Sequence, residues 1–315
     1  MVLAAPHSPV MTAEVVKALD PSEDSILVDA TFGRGGHTRA LLDRLGTNGR
    51  VYAMDRDPEA CAIARDWAQG EHRLTVVHAP FSKLSDELHA AGIAGQVSGI
   101  VLDLGVSSPQ LDDPGRGFSF MRDGPLDMRM DPSQGVPVQD WLADVSEEDL
   151  VDVLRRFGEE RYARRIARAI VDARTEAPLT TTGELSSLVD ACVPTREQGK
   201  HPATRTFQAL RLFINQELAE LDAVLPQAIE MLEPGGRLVV ISFHSLEDRR
   251  VKRFFHDTAK ADPFPPDLPV RADEISPAIL RPAKPQRPSA GEVAVNPRAR
   301  SAILRWAQKT PGGHA

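Results

Sequence analysis

Ile26-Leu-Val-Asp-Ala-Thr-Phe-Gly-Arg-Gly-Gly-His-Thr38 decides the fold. The apolar run Ile26 to Val28 reads as a buried strand that ends in Asp29. A glycine cluster follows at Gly33, Gly35 and Gly36, and a helical pattern runs from Arg39 to Leu45. Strand, glycine turn and helix in this order form the cradle with which an α/β sheet holds a nucleotide-like ligand above its strand ends. Glycine suits the turn because the backbone bends tightly and approaches a ligand with no Cβ between.

The next segment, Arg50-Val-Tyr-Ala-Met-Asp55, predicts a second strand ending in an acid. Asp55 lies twenty residues after Gly35, a spacing that suits a carboxylate accepting both ribose hydroxyls. Asp57-Pro58 then opens a helix, with Asp57 as the cap and proline in the first turn. A dinucleotide fingerprint needs a third glycine at position 38, which is Thr38, and there is no P-loop lysine motif. Leu232-Glu-Pro-Gly-Gly-Arg-Leu238 leads into an apolar strand from Leu238 to Ile241. A Pro-Gly-Gly turn before the fifth strand is characteristic of S-adenosylmethionine (SAM) methyltransferases, so the expected cofactor is SAM rather than NAD. The expected fold class is α/β, a Rossmann-like doubly wound sheet of the class I SAM-dependent methyltransferase type.

Further strands are expected at Leu74 to His78 and Gly99 to Asp103, and a last one from Ser301 to Trp306. More than a hundred residues separate the fourth and fifth strands, far beyond the dozen a crossover needs. Helical patterns at Trp141 to Val153, Glu159 to Arg174 and Gly183 to Ala191 fill that gap. The expected division is a discontinuous cofactor domain, 1–110 and 206–315, with a mostly helical subdomain inserted at 111–205. A helix from His201 to about Leu221 is expected to return the chain to the sheet. The prolines from Pro263 to Pro288 predict an extended loop.

Two well-separated cysteines, Cys61 and Cys192, argue against disulfides and zinc, and no ligand cluster demands another metal. No signal peptide and no apolar run of about twenty residues is visible, so a cytoplasmic protein without membrane association is expected. The net charge of −8 argues against a nucleic-acid partner until its placement is considered. Seven arginines stand between Arg155 and Arg174, and Arg161, Arg165 and Arg168 fall opposite the apolar stripe Tyr162, Ile166, Ile170. A second basic stretch, Arg281 to Lys309, holds seven cations and one acid, Glu292. Such faces suit phosphates, although a solvated helix surface reads the same way.

Two polar clusters follow strand ends. Asp103-Leu-Gly-Val-Ser-Ser-Pro-Gln110 brings a carboxylate, two hydroxyls and an amide, and Ile241-Ser-Phe-His-Ser-Leu-Glu-Asp248 adds hydroxyls and His244. Transfer to an amine conjugated with a ring needs polar acceptors there, since the nitrogen must be held and relieved of a proton. Asp103 and His244 are therefore the candidate catalytic residues. Phe118, Phe120 and Phe243 are candidates to stack a flipped base.

Together with Gly117-Phe-Ser-Phe-Met-Arg-Asp-Gly-Pro-Leu-Asp-Met-Arg-Met-Asp131, Gly158 to Tyr162, His201 to Gln208 and Asn296 to Ser301, these motifs resemble the bacterial small-subunit rRNA cytosine-N4 methyltransferases, the RsmH or MraW family, from about His7 to Leu304. The resemblance implies methylation of one cytosine in the decoding region of 16S rRNA, with the rRNA or the assembled small subunit as partner. It also implies SAM contacts at Gly35, Gly36, His37, Asp55, Phe81, Asp103 and Gln110. Where amino-methyltransferases in general place two prolines and an aromatic after the strand-four acid, this chain has Leu104-Gly-Val-Ser-Ser-Pro109. A nicotinamide-dependent oxidoreductase and a non-catalytic RNA-binding factor that retains SAM are the alternatives.

Overall fold

The apolar runs of the N-terminal half become parallel strands, most of them buried between layers of helices; Leu74 to His78, at the sheet edge, is only partly buried. The computed structural model describes residues 9–195, 201–260 and 278–311. Along the chain the first elements are α1 (Thr12–Leu19), β1 (Ile26–Asp29), α2 (Gly36–Leu42), β2 (Arg50–Asp55), α3 (Pro58–Ala68), β3 (Leu74–His78), α4 (Leu84–Ala90) and β4 (Val97–Asp103). Helices follow: α5 (Ser108–Asp112), α6 (Val138–Asp144), α7 (Glu147–Gly158), α8 (Ala163–Glu176), α9 (Thr182–Cys192), α10 (Thr204–Ile214) and α11 (Glu217–Met231). The chain then forms β5 (Leu232–Ser242), α12 (Ser245–Thr258), β6 (Leu280–Pro282), α13 (Ala290–Val295) and β7 (Ile303–Lys309).

Seven strands make one sheet in the order β3-β2-β1-β4-β5-β7-β6. The first five run parallel, and β7 runs antiparallel between β5 and β6. Successive residues of a strand face opposite layers. Val28, Ile100, Leu102, Leu238 and Val240 therefore enter one core, and Leu27, Val101, Val239 and Ile241 the other. This double burial explains why the strands read as continuous apolar runs rather than alternating ones. The mixed seven-stranded sheet covered by helices is the Rossmann-like class I fold expected from the sequence.

Local chemistry sets the element ends. Asp57 accepts the Glu59 amide at 2.9 Å with Pro58 in the first turn, so α3 starts where the Asp-Pro pair predicts. Pro-Gly-Gly lies within β5 as an irregularity: Val97 faces Leu232 and Gly99 faces Arg237, so extra residues bulge outward around Gly235, whose φ is +89°. The final strand begins two residues later than expected and extends to Lys309. The short β6, hidden in sequence by the prolines around it, pairs with its far end. Pro263, Pro265, Pro266, Pro269 and Pro277 lie outside the described residues.

The chain divides into two units, Met1–Gly105 with Ala219–Ala315, and Val106–Leu218. The second is helical, with a core that includes Leu126, Met128, Leu150, Leu154, Ile166, Ile170, Leu185 and Leu210. The single helix expected over Trp141 to Val153 is two, because Ser146 caps a new start by accepting the Asp149 amide at 3.0 Å. The helix expected from Glu159 begins at Ala163, since Glu159 adopts φ +49° and ends α7. The helix expected to run from His201 to Leu221 breaks at Asn215 and Gln216. Asn215 accepts from the Met130 amide and donates to the Met128 carbonyl, each at 2.7 Å, and Gln216 turns at φ +53°. Among the described residues no helix is long and apolar enough to cross a membrane.

Candidate cofactor and active site

The turn after β1 is built around glycines, but for a reason different from the one its pattern suggests. Gly35 has φ +72°, and a Cβ there would lie 2.6 Å from both the Phe32 and the Trp67 rings. A Cβ on Gly36 would lie 2.5 Å from Pro9. The missing side chains thus let two rings and the N-terminal segment close around the turn, shaping the cradle from behind.

A buried set of ionisable groups sits where β1 and β4 end. Asp29 is fully buried and accepts the Thr38 hydroxyl at 2.7 Å and the Thr31 amide at 3.2 Å. Thr31 in turn accepts the Asp103 amide at 2.7 Å, which ties the two strand ends together. His37 Nε2 lies 3.4 Å from Asp103 Oδ2, yet neither ring nitrogen is hydrogen-bonded. Burial pushes the Asp29 carboxyl up from the ordinary carboxylate range. Burial also disfavours charge on His37, but Asp103 beside it and Asp29 behind it outweigh that and raise its pKa. The His37 side chain is 4% exposed and that of Asp103 23%, so Asp103 is the member that a ligand reaches. Its Oδ1 and both His37 nitrogens are buried polar atoms without hydrogen-bond partners. An imidazole donor here matches the carboxylate of an amino-acid group. Thr38, which in sequence only breaks the dinucleotide fingerprint, is part of this support.

Asp55, at the end of β2, accepts the Gly33 amide at 2.7 Å and the Asp57 amide at 2.8 Å, one on each oxygen. Each oxygen keeps a further lone pair for a hydroxyl donor. Burial raises this carboxyl to about 6, against the two amides that lower it. Phe81 follows β3 in a short 3-10 turn and is half-buried against the core.

At the end of β5, Ser242 is buried with its hydroxyl unpartnered. His244 caps α12: its Nδ1 accepts the Glu247 amide at 3.4 Å, and Glu247 accepts the amides of Phe243 and His244 at 2.8 and 3.3 Å. One ring nitrogen of His244, the catalytic candidate, is thus committed to the helix start, while Nε2 lies buried 3.0 Å from Glu247 with no hydrogen-bond partner among the described residues. Phe243 is half-buried against the core.

The other candidates lie in the second unit. Gln110 is buried and accepts the Ser107 amide at 2.9 Å, forming a capping box at α5. Phe118 is a core residue, and Phe120 packs on His201 and Phe207 at ring distances of 4.6 and 4.9 Å. Their packing explains these two rings without a base. Arg161, Arg165 and Arg168 are exposed on or beside α8. Among the described residues only loose contacts hold them: Arg165 to the Ala191 carbonyl at 3.5 Å and Arg168 to Asp172 at 3.9 Å. Sequence reasoning missed Asp29 and Thr31 as site residues. The available signal was an acid closing a strand with hydroxyls two and nine residues on.

Comparison with known proteins places this geometry among relatives. A model described as the MraW methylase family matches residues 4–310. The chain is 55% identical over 311 residues to the ribosomal RNA small subunit methyltransferase H of Aromatoleum aromaticum, covering 98% of this chain and 99% of that protein. It is 54% identical to the protein of that name from Chromohalobacter salexigens, covering 96% of this chain and 91% of that protein. For the one from Nitrosospira multiformis the figures are 53%, 98% and 99%.

Proposed function

The chain belongs to the MraW methylase family, and from that membership we propose that it transfers a methyl group from SAM to the exocyclic N4 of one cytosine in the decoding region of small-subunit rRNA. The observation that carries the reading is the Asp103–His37 pair at the end of β4, an accessible carboxylate beside a buried imidazole with unpartnered nitrogens. The full-length relatives named as small-subunit rRNA methyltransferases support the substrate class.

The residues present fit SAM. His37 suits the carboxylate of its amino-acid end, Asp55 its ribose hydroxyls, Phe81 its adenine face and Asp103 its methyl end, while Gly35 and Gly36 shape the turn around it. Gln110 is assigned to the methyl end. Bound there, SAM supplies an electrophilic methyl on a sulfonium centre.

The amine of cytosine is a poor nucleophile because its lone pair is delocalised into the ring. The protein's part is to hold it in line and stabilise charge as it develops. Asp103, the more exposed member of the pair, is the acceptor for this task. His244 holds the loop between β5 and α12 in place. Arg161, Arg165 and Arg168 are assigned to rRNA phosphates and Phe243 to the flipped base. A cysteine adduct of the kind used for carbon methylation has no candidate nucleophile: burial pushes the Cys61 thiol up to about 12, and Cys192 is raised likewise.

The decisive experiment transfers labelled methyl from SAM to small ribosomal subunits lacking the modification, with nucleoside mass spectrometry of the product. N4-methylcytidine at a single position is expected. A methylated carbon, a different base, or SAM binding without any transfer would overturn the proposal.

A further inference from the structure

Two of the three acids of α12, Glu247 and Asp248, are committed elsewhere, and this leaves one side of the helix basic. Arg249, Lys252, Arg253, His256 and Lys260 are all exposed. At about 100° per residue the four on the helix, Arg249, Lys252, Arg253 and His256, fall within a stripe of roughly 100°, and Lys260 lies just beyond the helix end at Thr258. Val251 and Phe255 point the other way, into the core with Val240, Leu280 and Ala307. Glu247 is buried in the cap of the helix. Asp248, one turn before Lys252, instead forms a two-pronged pair with Arg305 at 2.7 and 3.1 Å. Asp257 serves His256 and Lys260 at 3.1 and 3.5 Å. Arg250, off the stripe, pairs with Asp222 at 3.3 Å. Lys252 and Arg253 form no ion pair or hydrogen bond among the described residues.

An ordinary solvated helix in an acidic chain would pair Asp248 with Lys252 across one turn. Here the available acid turns inward to fix β7, and Lys252 and Arg253 stay open. The position of the helix is also telling. Asp103 lies opposite Ile241 in the sheet, and α12 begins three residues after the end of β5 at Ser242. Ile303 lies opposite Ser242, so the 3-10 turn Pro297–Ser301, with exposed Arg300, precedes β7 at that same end.

We propose that the exposed stripe of α12, centred on Lys252 and Arg253, is a docking surface for the phosphate backbone of the RNA substrate on the methyltransferase unit itself. The inference rests on the rRNA reading above and adds a second contact to the arginines of α8. Phosphate is the chemistry that fits, because Lys252 and Arg253, exposed and without ion pairs among the described residues, stand on one face with further cations and release counterions when they meet a polyanion. The surface reads no sequence; it positions.

The test uses the full chain with SAM and in vitro transcribed small-subunit rRNA, with binding followed across a KCl series. Each phosphate contact contributes about 0.7 to 0.9 to the slope of log K against log salt. K252Q/R253Q should therefore flatten the slope by about 1.4 to 1.8, and weaken binding roughly 25- to 60-fold at 0.1 M salt. SAM affinity and unfolding midpoint should stay unchanged. K252R/R253K should bind as wild type, and K17Q on the exposed side of α1 should change nothing. If wild type shows a steep salt slope and K252Q/R253Q matches it, the docking surface is refuted. A K17Q effect as large as that of K252Q/R253Q would refute it too, by making the attraction diffuse. Failure of wild type to bind either this RNA or small ribosomal subunits lacking the modification would overturn the rRNA reading and the docking surface with it.

Discussion

The ribose contact proposed for Asp55 predicts a pH limit on cofactor binding and a stability difference of opposite sign. Its carboxyl sits at about 6 because burial outweighs the Gly33 and Asp57 amides. Ribose hydroxyls donate to the charged form, so SAM binding requires the proton to leave. With a free-protein value near 6, affinity is flat above pH 7, falls about twofold at pH 6 and about tenfold at pH 5. D55N has no such proton and should show no acid limb from this site. It also loses hydrogen bonds to a charged acceptor, worth about 1.5–3 kcal/mol, or roughly 10- to 150-fold in affinity at pH 8.

The effect on the fold runs the other way. The folded state holds the Asp55 proton more tightly than the unfolded chain, so stability present below pH 3.8 is lost as the pH rises to about 6. The limit is about 3 kcal/mol, from a difference of roughly two pKa units at 1.36 kcal/mol each. D55N escapes that loss but gives up one amide acceptor, about 1 kcal/mol. Cofactor-free D55N should therefore be about 1–2 kcal/mol more stable than wild type at pH 8, melting a few degrees higher. Calorimetric titration of SAM from pH 5 to 8, with thermal unfolding in parallel, checks both signs. Unchanged affinity and the same acid limb in D55N would refute the ribose assignment. A lower melting temperature at pH 8 would refute the desolvation argument.

Three further outcomes are expected. G35A places a Cβ 2.6 Å from two aromatic rings at φ +72° and should destabilise the fold by about 2–4 kcal/mol, read from the denaturant midpoint. H244N should keep the α12 cap and most of the methyl transfer, whereas H244A should lose about 1 kcal/mol of stability. A hundredfold loss of turnover in a stable H244N would instead make His244 catalytic. R161E/R165E/R168E should weaken rRNA binding while SAM affinity and stability hold, because their present contacts are exposed and loose; parallel loss of SAM binding would signal misfolding.

The first β-α-β unit was legible because its signals are local. An apolar run, a glycine turn and an Asp-Pro cap each act within a few residues, and each forms where it is written. The parts that were not legible depend on partners far along the chain. Asn215 breaks a helical pattern because Met128 and Met130 lie across from it. Phe118 reads as a base stacker until the core of the second unit surrounds it. Gly35 and Gly36 look like ligand clearance, but the space is taken by Phe32, Trp67 and Pro9. Thr38 reads only as a break in the dinucleotide fingerprint until Asp29 is found 2.7 Å from its hydroxyl.

Charge shows the same division most clearly. A net charge of −8 describes the whole chain, whereas a polyanion meets only what remains exposed and unpaired. The acids nearest the candidate site are largely drawn inward: Asp29 to Thr31 and Thr38, Asp55 to two backbone amides, Glu247 to a helix cap and Asp248 to Arg305. Each of these contacts has a structural role at a strand or helix end. Together they remove acids from the surface where the basic stripe of α12 begins. The acidic composition and an RNA-facing surface are therefore compatible, because folding sorts the two signs of charge: carboxylates anchor the strand ends, and Lys252 and Arg253 stay in solvent.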